Sequence, residues 1–173
     1  HHHHILDVTT CPAVGMLKEL EPRAREIATG VAECLELEGL LCVEFFVTEN
    51  RELLINEIAP RPHNSGHLTI EACRTSQFEQ QVRAICNLPL GDTSLIQPAA
   101  MANLLGDVWG DGQPNYSIAY QAPRAYLHLY GKRNARHGRK MGHLTVLDAT
   151  PEQAADRAIQ IRDQMRSDEA KLF

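Results

Sequence analysis

Apolar residues recur at helical spacing from about Glu21 to Leu37, where Ile27, Val31, Ala32, Cys34 and Leu35 share a side, Pro22 suits a first turn and Gly39 a stop. The spacing predicts one amphipathic helix. Two shorter apolar runs follow, Leu40 to Val47 and Leu53 to Ile58, rich in β-branched and aromatic residues and parted by the polar turn Thr48-Glu49-Asn50-Arg51. They predict a β-hairpin. Ala59-Pro60-Arg61-Pro62 then removes two backbone donors, and His63 to His67, with Asn64, Ser65 and Gly66, reads as a polar loop of the kind that holds ligands. Ser76-Gln77-Phe78-Glu79 is a capping box, Ser at the cap and Glu three residues on, opening a helix to about Cys86 that ends before Pro89. Ala99 to Leu105, Ala125 to Tyr130 and Gly142 to Leu147 read as strands, and Pro151 to about Met165 as a closing helix with Pro at its start. Gly106 to Pro123 reads as a connection between two lobes, with Trp109, Tyr116 and Tyr120 available to tuck inward.

Composition narrows the class. The 173 residues are 43% hydrophobic, enough for a real core. A net charge of −5 argues against a general polyanion-binding role, so nucleic acid is not an expected partner. Charged residues interrupt every apolar run short of the length a membrane helix needs, and no secretory signal pattern is present. Cys11, Cys34, Cys42, Cys73 and Cys86 form no close pair; they read as small buried apolar residues in a reducing cytosol. The charge is unevenly placed. Between Gly112 and Leu147 there is no Asp or Glu, while Arg124, Lys132, Arg133, Arg136, Arg139 and Lys140 give that stretch +6 and leave −11 for the rest. An anionic ligand and a solvated basic loop both fit such an island.

Glu44 and Glu57 lie on the two strands of the hairpin, and Glu44 is set inside Val43-Glu44-Phe45-Phe46. A carboxylate in apolar surroundings is costly unless a cation or donor compensates it, so a positive group belongs beside it. Two carboxylates on neighbouring strands, followed by Arg61 and His63, suit Mg²⁺ bridging phosphate oxygens; a plain cross-strand surface pair is the alternative.

The run Glu44-Phe45-Phe46-Val47, followed by Leu53-Leu54-Ile55-Asn56-Glu57-Ile58-Ala59-Pro60-Arg61-Pro62-His63-Asn64-Ser65-Gly66-His67, resembles the carboxy-terminal half of ATP-grasp enzymes. More narrowly, it is similar to the N5-carboxyaminoimidazole ribonucleotide synthetases, the ATPase subunits of phosphoribosylaminoimidazole carboxylase. Ser76-Gln77-Phe78-Glu79 with Arg83-Ala84, Asn103-Leu104-Leu105-Gly106 and Gly138-Arg139-Lys140-Met141-Gly142-His143 agree in order and spacing. The resemblance implies an α+β fold: residues 1–97 as the carboxy-terminal part of an ATP-grasp domain, with an antiparallel sheet flanked by helices, and residues 98–173 as a small β-rich domain carrying the basic phosphate-binding segment.

It also implies a reaction, in which ATP converts bicarbonate to carboxyphosphate and the amino group of 5-aminoimidazole ribonucleotide is carboxylated. Glu44 and Glu57 would bind Mg²⁺, Asn56, Glu57 and His1 would lie at the nucleotide, and Arg61 and His63, the catalytic pair, would face bicarbonate and the ribonucleotide together with Asn64 and Ser65. Lys132 and Arg139 match the family's ligands for the ribonucleotide 5′-phosphate. A homodimer in the cytoplasm, functionally linked to the mutase that uses the product, is implied as well. Ala59 stands where many ATP-grasp enzymes have an Asn, so water would complete the metal shell.

The family's amino-terminal domain and second ATP-grasp lobe have no counterpart in these residues, so the chain reads as the last half of such an enzyme, inactive alone. His1 to His4 read either as a family-like His-rich stretch before Ile5-Leu6 or as a tag remnant. Two other functions remain open: the formate-dependent glycinamide ribonucleotide transformylase, which shares a Pro-Arg-Pro-His loop, and a non-catalytic phosphate-binding or dimerising module.

Overall fold

A computed structural model describes residues 1, 4–15, 18–110 and 112–166. His2 and His3 of the histidine run lie outside the described residues. The chain divides into two compact units, residues 15–94 and residues 1–14 with those from 95 onward.

The first unit opens with α1 (Glu21–Cys34), whose half-buried positions 24, 27, 28, 31 and 32 form the expected stripe, Pro sitting in its first turn. β2 (Cys42–Val47) and β3 (Leu53–Ala59) make the predicted antiparallel hairpin. Their register runs Cys42↔Ala59, Val43↔Ile58 and Glu44↔Glu57, then jumps to Phe45↔Ile55. Asn56 is therefore the extra residue of a β-bulge. A short turn at Asn64–Gly66 leads to α2 (Thr69–Ala72), and α3 (Gln77–Ile85) starts where the capping box places it, Ser76 Oγ accepting the Glu79 N–H at 3.2 Å. Among the described residues of this unit the buried apolar ones are Ala59, Leu68 and Ala72, while Phe46, Val47, Leu54 and Ile55 stay exposed on the hairpin.

The second unit is built on a four-stranded antiparallel sheet in the order β1 (Val8–Cys11), β4 (Ala99–Leu105), β6 (Lys140–Leu147), β5 (Ala125–Leu129). β4 and β6 are the central strands and are buried almost throughout, Asn103, His143 and Thr145 included, so their apolar residues do not alternate with exposed ones. Helix α5 (Pro151–Met165), capped by Thr150 Oγ1 on the Gln153 N–H at 3.2 Å, contributes Ala154, Ala158, Ile161 and Met165 to the same core as Leu104, Leu144 and Val146. Arg162 of α5 pairs with Asp7 beside β1, and Asn103 Nδ2 donates to the Leu6 carbonyl at 2.8 Å. These two contacts hold the residues just before β1 against α5 and β4.

By their contacts residues 1–14 group with the residues after 94, because β1 pairs with β4 along its whole length. Two expectations change. Gly106 to Pro123 lies within one unit: Trp109 is buried, Tyr116 meets it edge-on at 6.4 Å, and α4 (Tyr116–Gln121) packs Ala119 into the core, while Tyr120 is exposed. The cysteines are not uniformly buried. Cys34 and Cys86, at the ends of α1 and α3, are exposed and the other three are half-buried. The mixed α+β class itself, with antiparallel sheets, is as expected.

Candidate functional site

Glu44 and Glu57 face each other across β2 and β3, one register step from the Asn56 bulge. The bulge turns Asn56 toward the pair, its Nδ2 lying 3.5 Å from Glu44 Oε2. Glu44 also meets the positive or donor group that its apolar strand demands: His63 Nε2 is 3.1 Å from its Oε1, the two side chains being 14% and 29% exposed respectively. The other ring nitrogen of His63, Nδ1, is 2.8 Å from Ser65 Oγ. Glu57 is exposed. Among the described residues no group of three or more His, Cys, Asp or Glu side chains converges on one point. Two carboxylates are a hard, oxygen-only donor set, which fits Mg²⁺ held by one or two carboxylates with water and phosphate completing its shell.

The loop that carries His63 is held from α3. Gln77 Oε1 accepts the His63 N–H at 2.9 Å, and its Nε2 donates to the His63 carbonyl at 2.8 Å and lies 2.8 Å from His67 Nδ1. Gln77 N–H in turn donates to Thr69 Oγ1, which donates to the Gly66 carbonyl at 2.6 Å. Gly66 must be glycine for this clamp to close, since a Cβ there would stand 2.7 Å from Gln77 Oε1. Asn64 begins the short turn, its carbonyl accepting the His67 N–H, and the exposed Arg61 folds one guanidinium nitrogen onto the Pro62 carbonyl at 3.1 Å. Cys42, next to Glu44 on the same strand face, hydrogen-bonds Ser65; burial pushes its thiol up, the Ser65 bond only partly offsetting this, and Glu44 adds to the rise. A neutral thiol is thus part of the site's wall.

The basic island belongs to the other unit, with Lys132, Arg133, Arg136 and Arg139 between β5 and β6. Lys132 Nζ donates to the Lys140 carbonyl at 2.6 Å and lies 5.6 Å from the Tyr130 ring centroid, and Arg139 donates to the Asn134 carbonyl at 3.0 Å. Each cation spends one donor on bracing its own loop and keeps others for a ligand. A cavity of about 580 Å³, bordered by Trp109, Tyr116, Lys132 and Arg133, opens beside it. His1 is exposed.

Of the residues expected to act together, the structure gathers Glu44, Asn56, Glu57, His63, Asn64 and Ser65 on one unit and Lys132 with Arg139 on the other. Sequence reasoning missed Gln77 and Cys42. The signal for Gln77 was present in the capping box, where a long amide at the first helical position sits on the side that faces the preceding loop.

A family model for the ATP-grasp domain matches residues 1–78, and one for the phosphoribosylaminoimidazole carboxylase C-terminal domain matches residues 99–157. N5-carboxyaminoimidazole ribonucleotide synthase of Bacillus subtilis is 47% identical over 147 residues, an alignment covering 85% of this chain and 38% of that protein. The crystal structure of N5-carboxyaminoimidazole ribonucleotide synthetase from Thermotoga maritima superposes with a TM-score of 0.82 at 48% identity, over 90% of this chain and 44% of that one. That of the Aspergillus clavatus synthase, in complex with ADP and 5-aminoimidazole ribonucleotide, gives 0.81 at 34% identity, over 95% and 45%. The chain spans less than half the length of each of these relatives. With both family models falling in the order of the two motif groups, and backbone likeness extending over nine-tenths of the residues, the chain belongs to the N5-carboxyaminoimidazole ribonucleotide synthetase family of ATP-grasp proteins, to whose carboxy-terminal half it corresponds.

Proposed function

We propose that this chain is the carboxy-terminal part of an ATP-dependent carbon–nitrogen ligase that carboxylates 5-aminoimidazole ribonucleotide with bicarbonate, through carboxyphosphate, in de novo purine biosynthesis. The observation that carries the reading is the cross-strand Glu44–Glu57 pair with His63 held against Glu44. These carboxylates would hold Mg²⁺, which when bound offsets the triphosphate charge that repels an oxygen nucleophile. Asn56, at the bulge, and His1 would lie toward the nucleotide. Arg61 would hold a carboxylate or phosphate oxyanion through its planar guanidinium. His63, bracketed by Glu44 at one ring nitrogen and Ser65 at the other, has a fixed ring plane from which to hold or pass a proton near the reacting oxygens, with Asn64 and Ser65 as short polar donors. Lys132 and Arg139 would anchor the ribonucleotide 5′-phosphate. The parent ligase is a homodimer of the cytoplasm whose product passes to a mutase, and the chain alone does not turn over.

The test is ADP release with Mg²⁺ and bicarbonate by a full-length synthetase carrying this sequence, with the 173-residue chain assayed beside it. Stimulation by 5-aminoimidazole ribonucleotide in the full-length protein alone is the expected result. Stimulation by glycinamide ribonucleotide plus formate instead would assign the chain to the transformylase reaction, and turnover by the chain alone would overturn its description as part of a site.

A further inference from the structure

The basic loop is gripped at four consecutive residues by the end of β4. Asp107, two residues past the Leu105 end of β4, accepts the Gly138 N–H on Oδ2 at 3.0 Å and pairs through Oδ1 with the His137 ring. Gly106 donates its N–H to the Arg139 carbonyl at 2.8 Å. Gly106 also lies so close to the loop that a Cβ there would stand 2.1 Å from the Arg136 carbonyl oxygen, a distance only glycine permits. The Arg139 N–H closes the turn on the Arg136 carbonyl at 2.9 Å.

This grip has an electrostatic logic. Residues 112–147 hold six Lys and Arg side chains and no carboxylate, so a compact turn containing Arg136, Arg139 and Lys140 accumulates like charge. Asp107 offsets it from outside the segment. Its two oxygens are spent on Gly138 N–H and His137, while the guanidinium of Arg139 is braced by the Asn134 carbonyl, so the carboxylate organises the turn without occupying the arginine. Burial works to raise the Asp107 pKa, yet the Gly138 and His137 hydrogen bonds outweigh it and hold the group below its ordinary value.

We infer that Asp107 is a positioning residue, latching the 136–139 turn to the end of β4 so that Arg139 is preorganised for the phosphate of a ribonucleotide. The inference rests on the assignment of Arg139 to that phosphate. It goes beyond that assignment by naming a residue that touches no ligand and yet sets affinity for the phosphate in particular.

The experiment titrates the 173-residue chain and its Asp107→Ala and Asp107→Asn variants with 5-aminoimidazole ribonucleotide, its dephosphorylated nucleoside and inorganic phosphate, following backbone amide shifts of residues 132–140, with hydrogen exchange at Gly138 as the second readout. In the unsubstituted chain the ribonucleotide and phosphate shift these amides. Asp107→Ala weakens both by about tenfold, leaves the nucleoside unaffected and deprotects Gly138; Asp107→Asn, which keeps an acceptor for that N–H, recovers part of each effect. Unchanged phosphate affinity in Asp107→Ala, or equal weakening of nucleoside and nucleotide, would overturn the latch. If Asp107→Ala does not fold, the Asn variant against the unsubstituted chain decides on the same readouts. No response of the unsubstituted chain to phosphate or ribonucleotide would overturn the phosphate assignment itself, and the inference with it; that failure is seen before any variant is compared.

Discussion

Gln77 brackets the backbone of His63, its side-chain oxygen accepting the histidine N–H at 2.9 Å and its amide nitrogen donating to the histidine carbonyl at 2.8 Å. Fourteen residues apart, they are joined as two strands would be, by a side chain that imitates a peptide group. The orientation of the His63 ring toward Glu44 therefore depends on the first turn of α3.

Replacing Gln77 by Leu keeps the volume and removes both bonds. It leaves the half-buried His63 N–H without its acceptor, while the His63 carbonyl keeps only the Gly66 N–H at 3.0 Å, so a loss of about 1–3 kcal/mol in stability is expected, with a larger fall in turnover than in substrate affinity. Gln77→Glu can still accept from the His63 N–H but cannot donate to the carbonyl, and should fall between the two. Urea unfolding and steady-state kinetics of the full-length ligase check this; turnover lost no further than stability predicts would limit Gln77 to a structural role.

Glu57→Gln removes one carboxylate of the cross-strand pair while preserving shape and hairpin pairing. Glu57 is exposed, so the fold should be unaffected. ATP cleavage should fall by at least about 100-fold if the pair holds the metal. Isothermal titration with Mg²⁺ and nucleotide, run beside an ADP-release assay, is the check; full activity in this variant would dismiss the metal role.

Asp148, 14% exposed, accepts from Arg157 at 2.6 Å and from the Ala149 N–H at 2.8 Å, and these bonds, Arg157 first, hold its carboxyl below the usual range. Its folded pKa is thus lower than its unfolded one, so its contribution is complete above about pH 4 and is lost as pH falls through the folded value. Asp148→Asn should be less stable than the unsubstituted chain at pH 7, with the gap closing in acid. Thermal midpoints from pH 7 to pH 3 report it; a gap that stays constant would assign the effect to packing.

Local chemistry was legible and distant pairing was not. Ser76 and Thr150 announce their helices because a cap and its N–H lie three residues apart, and β4 declares itself as an apolar run broken only at Asn103. Val8 to Cys11 gives no such signal: four half-buried residues become a strand only through pairing with Ala99 to Ala102, some ninety positions on. The candidate site divides in the same way. Glu44, Glu57 and His63 are visible as motif residues, whereas the Asn56 bulge, the Gln77 clamp and the Asp107 latch exist only once strands pair and loops meet.

Lys132 allows the two candidate sites to be separated by kinetics. Its ammonium braces the loop through the Lys140 carbonyl and lies beside Tyr130, on the unit opposite in sequence to the one that carries Glu44 and Glu57. Lys132→Ala removes a charge-assisted donor worth about 1.5–3 kcal/mol to a bound phosphate, so KM for 5-aminoimidazole ribonucleotide should rise by about 10- to 100-fold. KM for ATP should barely move, because nothing in the carboxylate pair or the His63 loop is touched. Lys132→Arg retains the charge but replaces a compact ammonium with a planar fork, and should recover part of the loss. Initial-rate kinetics with each substrate varied in turn distinguish the outcomes: equal increases in both constants would mean that Lys132 supports the fold of the ligase rather than the ribonucleotide.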